Sequence, residues 1–497
     1  MRRRSKMADL TPRAPAQRPL LWPDDVLDLQ EQLLDVRPEE PLYLVGGAVR
    51  DALLHRPIPD LDFVTPGDAV LLARRVADAL NAEVFVMDTE RGVARVLHDR
   101  PDGRKVMDFT RFRGADLLAD LQARDFTINA LCVDFRGDLS QLIDPLNGEQ
   151  DVLSKQVRLC AASALADDPL RVLRAVRQSV QLGFRLLPPV VQAIRAAAPG
   201  LTQVSHERLR DEFFKVLSLD NADAALRVMQ ALGLMRYIVP ELEQLPNHAQ
   251  TPPYVFDAWQ HTLYAVERLI AILTAISPRR TDQTAASFDL GMLIIQLDRY
   301  RRLLNQHLSE RWANERSHQA LLVLAALLHR VGLGAEDERR SRMAIAERVA
   351  DDLRLSNAEK KRLTQSVGAF AMIYELPRYD RLGSHRYWFA LGEAGIDALL
   401  VGMAYILAMH GAYLPQDMWL DRVELAIQLL SDYFDRYEQV VNPPPLIDGN
   451  ELMRLLGVSR GPLVGQLLTA LREAQVLGDV TDAESAVRYA RGALGGL

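Results

Sequence analysis

Strand-forming patterns in this 497-residue sequence are confined to its first third. Between about residues 26 and 153, short runs rich in β-branched residues alternate with helical patterns, and from about residue 168 onward helical periodicity prevails. This distribution is typical of an α/β domain followed by a long all-helical region. The predicted strands are 42–45, 61–64, 83–87, 94–97 and 105–109.

A chain of this length exceeds the size at which a single hydrophobic core stops growing, so we expect several domains. Proline-rich breakers divide the helical part. The predicted segments are a disordered leader at 1–25, an α/β head at 26–155, a helical neck at 156–225, a helical body at 226–445 and a helical tail at 446–497.

The composition, with 48% hydrophobic and 25% charged residues, is that of a globular protein. Two cysteines, Cys132 and Cys160, are too few for a disulfide framework, which favours a cytoplasmic location. The longest apolar runs, 320–328 and 398–409, are shorter than the roughly 20 residues that span a bilayer, so we predict core helices and no membrane association. The net charge of -7 argues against nucleic-acid binding through bulk positive charge but permits a local basic groove.

Two aspartates, Asp60 and Asp62, stand at alternate positions of a predicted strand. Side chains at i and i+2 of a strand share one face, so both carboxylates point to the same side and Leu61 points into the core. Two carboxylates on one face of a strand can bind a divalent metal ion through their oxygen atoms. An isolated Asp-x-Asp is, however, more often a solvated loop end.

A Gly-Gly pair, Gly46-Gly47, ends the preceding predicted strand and opens a helical pattern that contains Arg50. Backbone N–H groups at a helix N-terminus can bind phosphate, and Arg50 adds positive charge. The sequence contains neither a P-loop nor a G-x-G-x-x-G motif, which argues against a P-loop NTPase and a Rossmann dinucleotide site. A tight strand-to-helix turn is the simpler interpretation of the glycines alone.

The run 44–63, LVGGAVRDALLHRPIPDLDF, resembles the first motif of class II tRNA nucleotidyltransferases and bacterial poly(A) polymerases, which belong to the polymerase-β-like superfamily. The resemblance implies a mixed-sheet nucleotidyltransferase head in which Gly46, Gly47 and Arg50 bind a nucleoside triphosphate. It also implies that Asp60 and Asp62 are catalytic and bind Mg²⁺. Asp108, on a candidate neighbouring strand, resembles the superfamily's third acidic residue, although a strand-end aspartate is as often structural.

Two further motifs resemble those of the same family. The run 123–131, ARDFTINAL, resembles the second motif with one arginine where the family has two; if it is helical, Asp125 and Asn129 share a polar face. The run 166–184, ADDPLRVLRAVRQSVQLGF, resembles the nucleotide-selecting motif, in which Asp168 is a good N-cap before a proline. The residues that the resemblance implies in nucleotide binding here are Arg124, Asp125, Asn129, Asp168, Arg171 and Arg174.

An aspartate beside an arginine presents a hydrogen-bond acceptor next to donors, as Asp168 and Arg171 would. Cytosine and adenine offer the matching amino donor and ring acceptor, whereas uracil and guanine present the reverse order. The mismatch leaves desolvated polar groups unpaired. The pair would therefore accept CTP and ATP without a template, although Asp167 stands where the family usually has glutamate.

The helical region resembles other parts of the same family. The run 205–217 resembles the neck segment near the arriving RNA end, and 446–490 resembles the C-terminal segment of bacterial members. Motifs around His261 and His329 resemble an HD phosphohydrolase domain, but Arg330 replaces the metal-binding aspartate. A cation at that position opposes metal binding, so we expect a degenerate HD domain in which both histidines are core or surface residues.

The resemblance implies a template-independent tRNA 3′-end nucleotidyltransferase that uses Mg²⁺, CTP and ATP, and reads the tRNA acceptor arm by its shape. Only 15 residues separate Asp108 from Arg124, which leaves little room for the flexible loop of complete CCA-adding members. CC addition, completed by a separate A-adding partner enzyme, is therefore modestly favoured over full CCA addition. The alternatives are a bacterial-type poly(A) polymerase and, from another class, a non-catalytic RNA-binding or HD-type regulatory protein.

Overall fold

The computed structural model describes residues 12–100, 103–246, 248–278 and 288–494. The chain forms two compact units, Met1–Val204 and Ser205–Leu497. The predicted disordered leader, 1–25, is wrong for its second half, because Arg13–Pro15 is a strand and a helix begins at Asp24. The rest of the leader, residues 1–11, lies outside the described residues.

An eight-stranded mixed sheet is the centre of the first unit. The strands, with the spatial order β1-β8-β7-β2-β3-β6-β5-β4, are β1 Arg13–Pro15, β2 Tyr43–Val45, β3 Asp60–Thr65, β4 Glu83–Asp88, β5 Val93–Arg100, β6 Gly103–Arg111, β7 Cys132–Asp134 and β8 Gln141–Ile143. The pair β3 and β6 is parallel and the other neighbours are antiparallel. All five predicted strands are present, and the mixed-sheet head is confirmed.

The remaining elements of this unit are mostly helical. The helices are α1 Asp24–Leu33, α2 Gly47–Leu54, α3 Ala69–Leu80, α4 Leu117–Gln122, α5 Gly148–Leu153, α6 Ala164–Asp167, α7 Arg171–Leu182 and α8 Pro188–Ala197. A short parallel pair, β9 Gln156–Val157 and β10 Arg185–Leu186, forms a second sheet. The predicted all-helical neck is wrong at this pair, because two-residue strands carry no detectable sequence period.

The two faces of the large sheet bury different side chains. Leu61 and Phe63 of β3 are buried, and the Phe63 ring stacks on Phe109 of β6 with 5.0 Å between centroids. On the opposite face, Tyr43, Val64 and Leu121 belong to a second buried cluster that α4 covers in part. Since Asp60 and Asp62 share the face of Val64, their carboxylates lie on the side of the sheet that α4 covers.

The second unit is all-helical across its described residues. Its helices are α9 His206–Leu217, α10 Ala222–Ala231, α11 Ala258–Ile276, α12 Phe288–Leu297, α13 Arg301–Leu308, α14 His318–Leu328, α15 Glu338–Asp352, α16 Asn357–Ala369, α17 Met372–Glu375, α18 Arg381–Leu391, α19 Ala394–His410, α20 Gln416–Asp435, α21 Gly449–Leu456, α22 Pro462–Leu477 and α23 Ala483–Leu494. The helical body and tail are thus confirmed.

One segment among the described residues, Ala394–Tyr413, is long and apolar enough to cross a membrane. The structure buries 94% of its apolar window. Every residue of α19 is buried, as in the central helix of a globular core. The apolar run 398–409 is therefore a core helix, as predicted.

Candidate active site

Three carboxylates meet on neighbouring strands of the head. Asp60 and Asp62 are exposed on β3 while Leu61 between them is buried, as strand alternation predicts. Asp62 pairs in parallel register with Asp108 of β6, so these two side chains are neighbours on one face. Although the Asp62 side chain is partly exposed, the protein atoms around its carboxylate desolvate it and raise its pKa, and the negative charges of Asp108 and Asp60 raise the pKa further.

This donor set fits a divalent cation. Carboxylate oxygens are the ligands that Mg²⁺ prefers, and like charges held together are stabilised by a cation between them. Asp108 is already engaged by a guanidinium, because both its oxygens accept from Arg95, with Nε–Oδ1 and Nη2–Oδ2 distances of 2.8 Å. Asp60 and Asp62 are therefore the better metal-ligand candidates, and the role of Asp108 as a third ligand stays a prediction.

The glycine turn lies directly against Asp62. Gly46 has φ +78° and ψ -133°, a backbone conformation that side chains with a Cβ rarely adopt. A Cβ at Gly46 would lie 3.4 Å from Arg124 Nη1 and 3.6 Å from Asp62 Oδ2. The turn thus requires glycine and brings the start of α2 against Asp62.

The N–H of Gly46 already has a partner within the protein, and the place of Gly46 in the nucleotide site stays a prediction. The N–H of Gly46 donates to the Leu131 carbonyl over 3.0 Å, so it is used within the protein. Helix α2 begins at Gly47, whose own N–H and those of the next two residues have no acceptor within the helix because of helix geometry. The N–H groups of this first turn, rather than the N–H of Gly46, are the candidate hydrogen-bond donors to a phosphate.

The second motif forms a turn and not the α-helix that the sequence analysis considered. Helix α4 ends at Gln122, and a 3₁₀ turn covers Thr127–Asn129. Asp125 and Asn129 nevertheless meet, because Asn129 Nδ2 donates to Asp125 Oδ1 over 3.0 Å. The turn brings the two side chains together without the helical face that the sequence suggested.

Asp125 and Asn129 are buried in a network of polar side chains. Asp125 accepts from Arg174 Nε at 2.9 Å, and Asn129 accepts from Arg50 Nη1 at 2.6 Å and donates to Gln178 Oε1 at 2.9 Å. Burial raises the pKa of Asp125, but the charge of Arg174 and hydrogen bonds from Asn129 and Arg174 outweigh it and lower the pKa to about 2. The network joins α2 and α7, which indicates that Asp125 and Asn129 position Arg50 and Arg174.

Replacing Asp125 with Asn should lower stability in a pH-dependent way. A carboxyl with a depressed folded-state pKa stabilises the fold above its unfolded pKa of 3.8, and this stability is lost as pH falls toward about 2. We expect Asp125→Asn to cost about 2 kcal/mol at pH 7, with the difference from wild type narrowing below pH 4. Thermal unfolding midpoints at pH 7, 5 and 3 measure this, with the exposed Asp78→Asn as control. A loss independent of pH would contradict the role assigned to the ionised carboxylate.

The third motif begins later than predicted. Helix α7 starts at Arg171 with Leu170 at its N-cap, so Asp168 is not the cap residue; its side chain accepts from the Leu170 N–H at 3.3 Å. The residues around Pro169 form a turn between α6 and α7, in which Asp168 takes an extended conformation. Asp168 and Arg171 stand three residues apart at this turn.

The guanidinium of Arg171 is held by backbone carbonyls. Nη1 donates to Arg124 O and Ala164 O at 3.1 and 3.2 Å, and Nη2 donates to Ala123 O at 2.8 Å. A guanidinium has five N–H donors, so Nε–H and one Nη2–H remain along a single edge. That edge is suited to a planar acceptor such as a base.

Sequence reasoning missed three charged residues of this site: Arg95, Arg113 and Asp120. Asp120 is fully buried, and its Oδ2 accepts from Arg124 Nη2 at 3.0 Å while its Oδ1 accepts from the Arg113 backbone N–H at 3.1 Å. The four-residue spacing of Asp120 and Arg124 was a detectable signal for an ion pair.

Cys160 is free and half-buried, and burial raises the pKa of its thiol to about 12.

The histidines of the HD-like motifs are core residues, as predicted. His261 and His329 are fully buried with 3.0 Å between their Nε2 atoms, and His329 Nδ1 lies within hydrogen-bond distance of the Ala326 carbonyl. If His329 Nδ1 donates to that carbonyl, its Nε2 must accept from His261. Burial and the charge of Arg330 lower the pKa of His261 to about 3, so the ring is neutral at pH 7. Arg330 itself donates to Tyr254 and Gln250.

A second group of potential ligands lies in the helical unit: His307, His318 and Asp397. Trp312 Nε1 donates to His318 Nδ1 at 3.2 Å, so His318 Nε2 carries the proton and donates to Asp397. Arg362 Nη1 also donates to Asp397 at 3.2 Å. A proton on Nε2 and a guanidinium on the carboxylate oppose metal binding, so this group is a buried hydrogen-bond network.

Comparisons with known proteins agree with this geometry. Residues 42–158 match the model of the poly(A) polymerase head domain, and 183–245 match that of the probable RNA and SrmB-binding site of polymerase A. A CC-adding tRNA nucleotidyltransferase of Geobacter sulfurreducens is 32% identical over 90% of both chains. An A-adding tRNA nucleotidyltransferase of Deinococcus radiodurans is 30% identical over 88% of this chain and 92% of its own.

The fold is likewise shared with solved structures. A CCA-adding enzyme in complex with ATP superposes with a TM-score of 0.62 at 19% identity, over 95% of this chain and 96% of its own. The sequence relatives extend over nearly the whole chain, including both the head and the helical unit. The resemblance inferred from the motifs is thus confirmed, and the chain belongs to the class II tRNA nucleotidyltransferase family, together with the bacterial poly(A) polymerases.

Proposed function

We propose that this protein is a tRNA 3′-end nucleotidyltransferase that adds two C residues from CTP without a template, and that a separate enzyme adds the terminal A. The observation that carries the transferase activity is the meeting of Asp60, Asp62 and Asp108 beside the Gly46 turn. Arg124 lies beside the same turn and supplies positive charge for a triphosphate. The cytoplasm, where tRNA is processed, is the proposed location.

In the proposed reaction, the 3′-hydroxyl of the RNA attacks the α-phosphate of CTP and pyrophosphate leaves. Asp60 and Asp62 would hold Mg²⁺, which when bound activates the hydroxyl and polarises the α-phosphate. The first-turn N–H groups of α2, which follow the Gly46 turn, and the guanidinium of Arg124, which lies beside that turn and Asp62, would bind the phosphates. The protein contributes alignment and charge stabilisation.

Base selection is assigned to Asp168 and Arg171. The free edge of Arg171 supplies donors to N3 of cytosine, and the Asp168 carboxylate accepts from its amino group. Because three carbonyl contacts hold the guanidinium, it cannot turn to satisfy uracil without breaking them. Adenine offers the same order of groups, so this pair alone does not separate CTP from ATP.

The preference for CC addition rests on the segment between Asp108 and Arg124. Strand β6 ends at Arg111 and α4 begins at Leu117, where Asp116 caps the helix by accepting from the Ala119 N–H at 2.8 Å. Only five residues, 112–116, lie outside regular structure before the helix. This leaves little room for a flexible loop that would switch the site from CTP to ATP.

Incorporation on a tRNA transcript that lacks its 3′ CCA tests the proposal. With Mg²⁺ and CTP we expect addition of two C residues, and we expect no further addition when ATP is included. The products are resolved to single nucleotides. Two C residues followed by A would contradict CC specificity, long A tracts would favour a poly(A) polymerase, and no addition would favour a non-catalytic RNA-binding or regulatory protein.

A matched transcript that ends in CC provides the control for RNA quality. An independent A-adding enzyme should extend the CC product made here by one residue, which shows that the RNA end is intact. If this protein itself extends the CC transcript with ATP, the proposed separate A-adding partner is unnecessary.

A further inference from the structure

The arginines around the active site differ in how their charge is compensated. Four of them form ion pairs with carboxylates: Arg50 with Asp51, Arg95 with Asp108, Arg124 with Asp120, and Arg174 with Asp125. Arg171 is held by carbonyls. Arg113 is exposed, and across the described parts of the chain its guanidinium has neither a hydrogen bond nor an ion pair.

The backbone of Arg113 is nevertheless firmly placed. Its N–H donates to Oδ1 of the fully buried Asp120, whose other oxygen accepts from Arg124. The preceding residue, Phe112, donates its N–H to the carbonyl of Thr65 at the end of β3. One buried carboxylate thus binds both the backbone of Arg113 and the guanidinium of Arg124, and Arg124 in turn lies against Gly46 and close to Asp62.

The charges around Arg113 favour an anion. Although the Arg113 side chain is exposed, nearby protein partly desolvates it and lowers its pKa; the positive charges of Arg124 and Arg171 lower the pKa further, while Asp120 and Asp125 raise it. Asp120 is paired with Arg124 and Asp125 with Arg174, so the two guanidinium groups of Arg113 and Arg124 together carry an excess of positive charge. A phosphate group bound between them would remove that excess and would receive charge-assisted hydrogen bonds.

We propose that Arg113 binds the triphosphate of the incoming nucleotide beside Arg124. This inference rests on the proposed function. The triphosphate is favoured over a phosphate of the RNA because Arg124, which shares the anchor of Arg113, contacts the turn that precedes α2 next to Asp62.

The inference is tested by measuring the equilibrium dissociation constants of CTP and of CMP. The full-length protein is used, with Mg²⁺ and without RNA. We expect Arg113→Gln to weaken CTP binding about tenfold or more, as for loss of a charge-assisted hydrogen bond, and to change CMP binding less than about twofold. Arg111→Gln, which removes an exposed arginine two residues away, is the matched control and should bind CTP as wild type does. Because both side chains are exposed, the thermal unfolding midpoints should match wild type.

The outcomes separate this inference from the proposed function. If wild type binds CTP and Arg113→Gln binds it equally well, the inference alone is wrong. An equal loss of affinity for CTP and CMP would place Arg113 at the nucleoside instead. Unchanged CTP binding with an increase only in the KM for tRNA would place Arg113 at the RNA backbone. Both results overturn the inference. Failure of the wild-type protein to bind CTP would overturn the proposed function as well.

Discussion

Replacing Asp62 with Asn is expected to reduce nucleotide incorporation by about a thousandfold while leaving the fold intact. The reason is that Asp60 and Asp62 supply the charge that binds the catalytic metal. Asp60→Asn is expected to cause a loss of the same order. Single-turnover incorporation of CTP into a tRNA transcript measures the effect, with the exposed Asp78→Asn as control.

The stability of the Asp62 variant gives a second, independent readout. An acid whose folded-state pKa is raised destabilises the fold when it is ionised, which for Asp62 applies above its ordinary pKa of 3.8. Asp62→Asn removes the repulsion from Asp108 and Asp60, so its free energy of unfolding at pH 7 should equal or exceed that of wild type. The gain should shrink as pH falls below about 4.

The two readouts together define what would contradict this assignment. Unchanged incorporation in Asp60→Asn and Asp62→Asn would remove both residues from the metal site. Lost incorporation combined with lost stability would indicate a structural role for the carboxylates. A loss of activity at unchanged or higher stability is the expected signature of a site whose charges are held together for function.

Replacing Asp397 with Ala is expected to destabilise the helical unit by about 3–5 kcal/mol. Asp397 is fully buried and accepts from His307 at 2.7 Å, from His318 at 3.0 Å and from Arg362 at 3.2 Å. Removal of the carboxylate leaves the two imidazole N–H donors without an acceptor in a buried site, and Arg362 loses one of its carboxylate partners while it keeps Glu393.

Native-state hydrogen exchange of α14 and α19 is the appropriate measurement, because a chain with two units need not unfold in one transition. Asp352→Ala, at an exposed aspartate near the end of α15, serves as control and should change stability by less than about 0.5 kcal/mol. A loss below about 1 kcal/mol for Asp397→Ala would contradict the assigned network. A bound transition metal that is lost with Asp397→Ala would show that the cluster is a metal site instead.

Features set by local backbone geometry were predictable from the sequence. Period-two alternation placed Asp60 and Asp62 on one face with Leu61 in the core, and the structure agrees. The change from α/β to helical patterns located the head and the helical unit, because strand and helix periods depend on the nearest few residues. The Gly-Gly pair marked a strand-to-helix turn, and Gly46 has the positive φ that only glycine adopts readily.

Features that depend on partners distant in sequence needed the tertiary structure. Parallel pairing of β3 with β6 placed Asp108 beside Asp62, and the neighbouring strand added Arg95, a residue with no distinguishing local pattern. The same limit explains why the sequence did not show that the Gly46 N–H donates to Leu131, or that Asp125 meets Asn129 through a turn rather than a helix.

The sequence by itself thus determined which residue types are present at the site and which face of each strand they occupy, because these depend on local periodicity. Only the tertiary structure decided which arginines of the site are paired with carboxylates. Across the described part of the chain, the Arg113 guanidinium is not among them. The physical reason is that ion pairs and buried hydrogen bonds form between groups that packing brings together, and a local pattern contains no information about that packing.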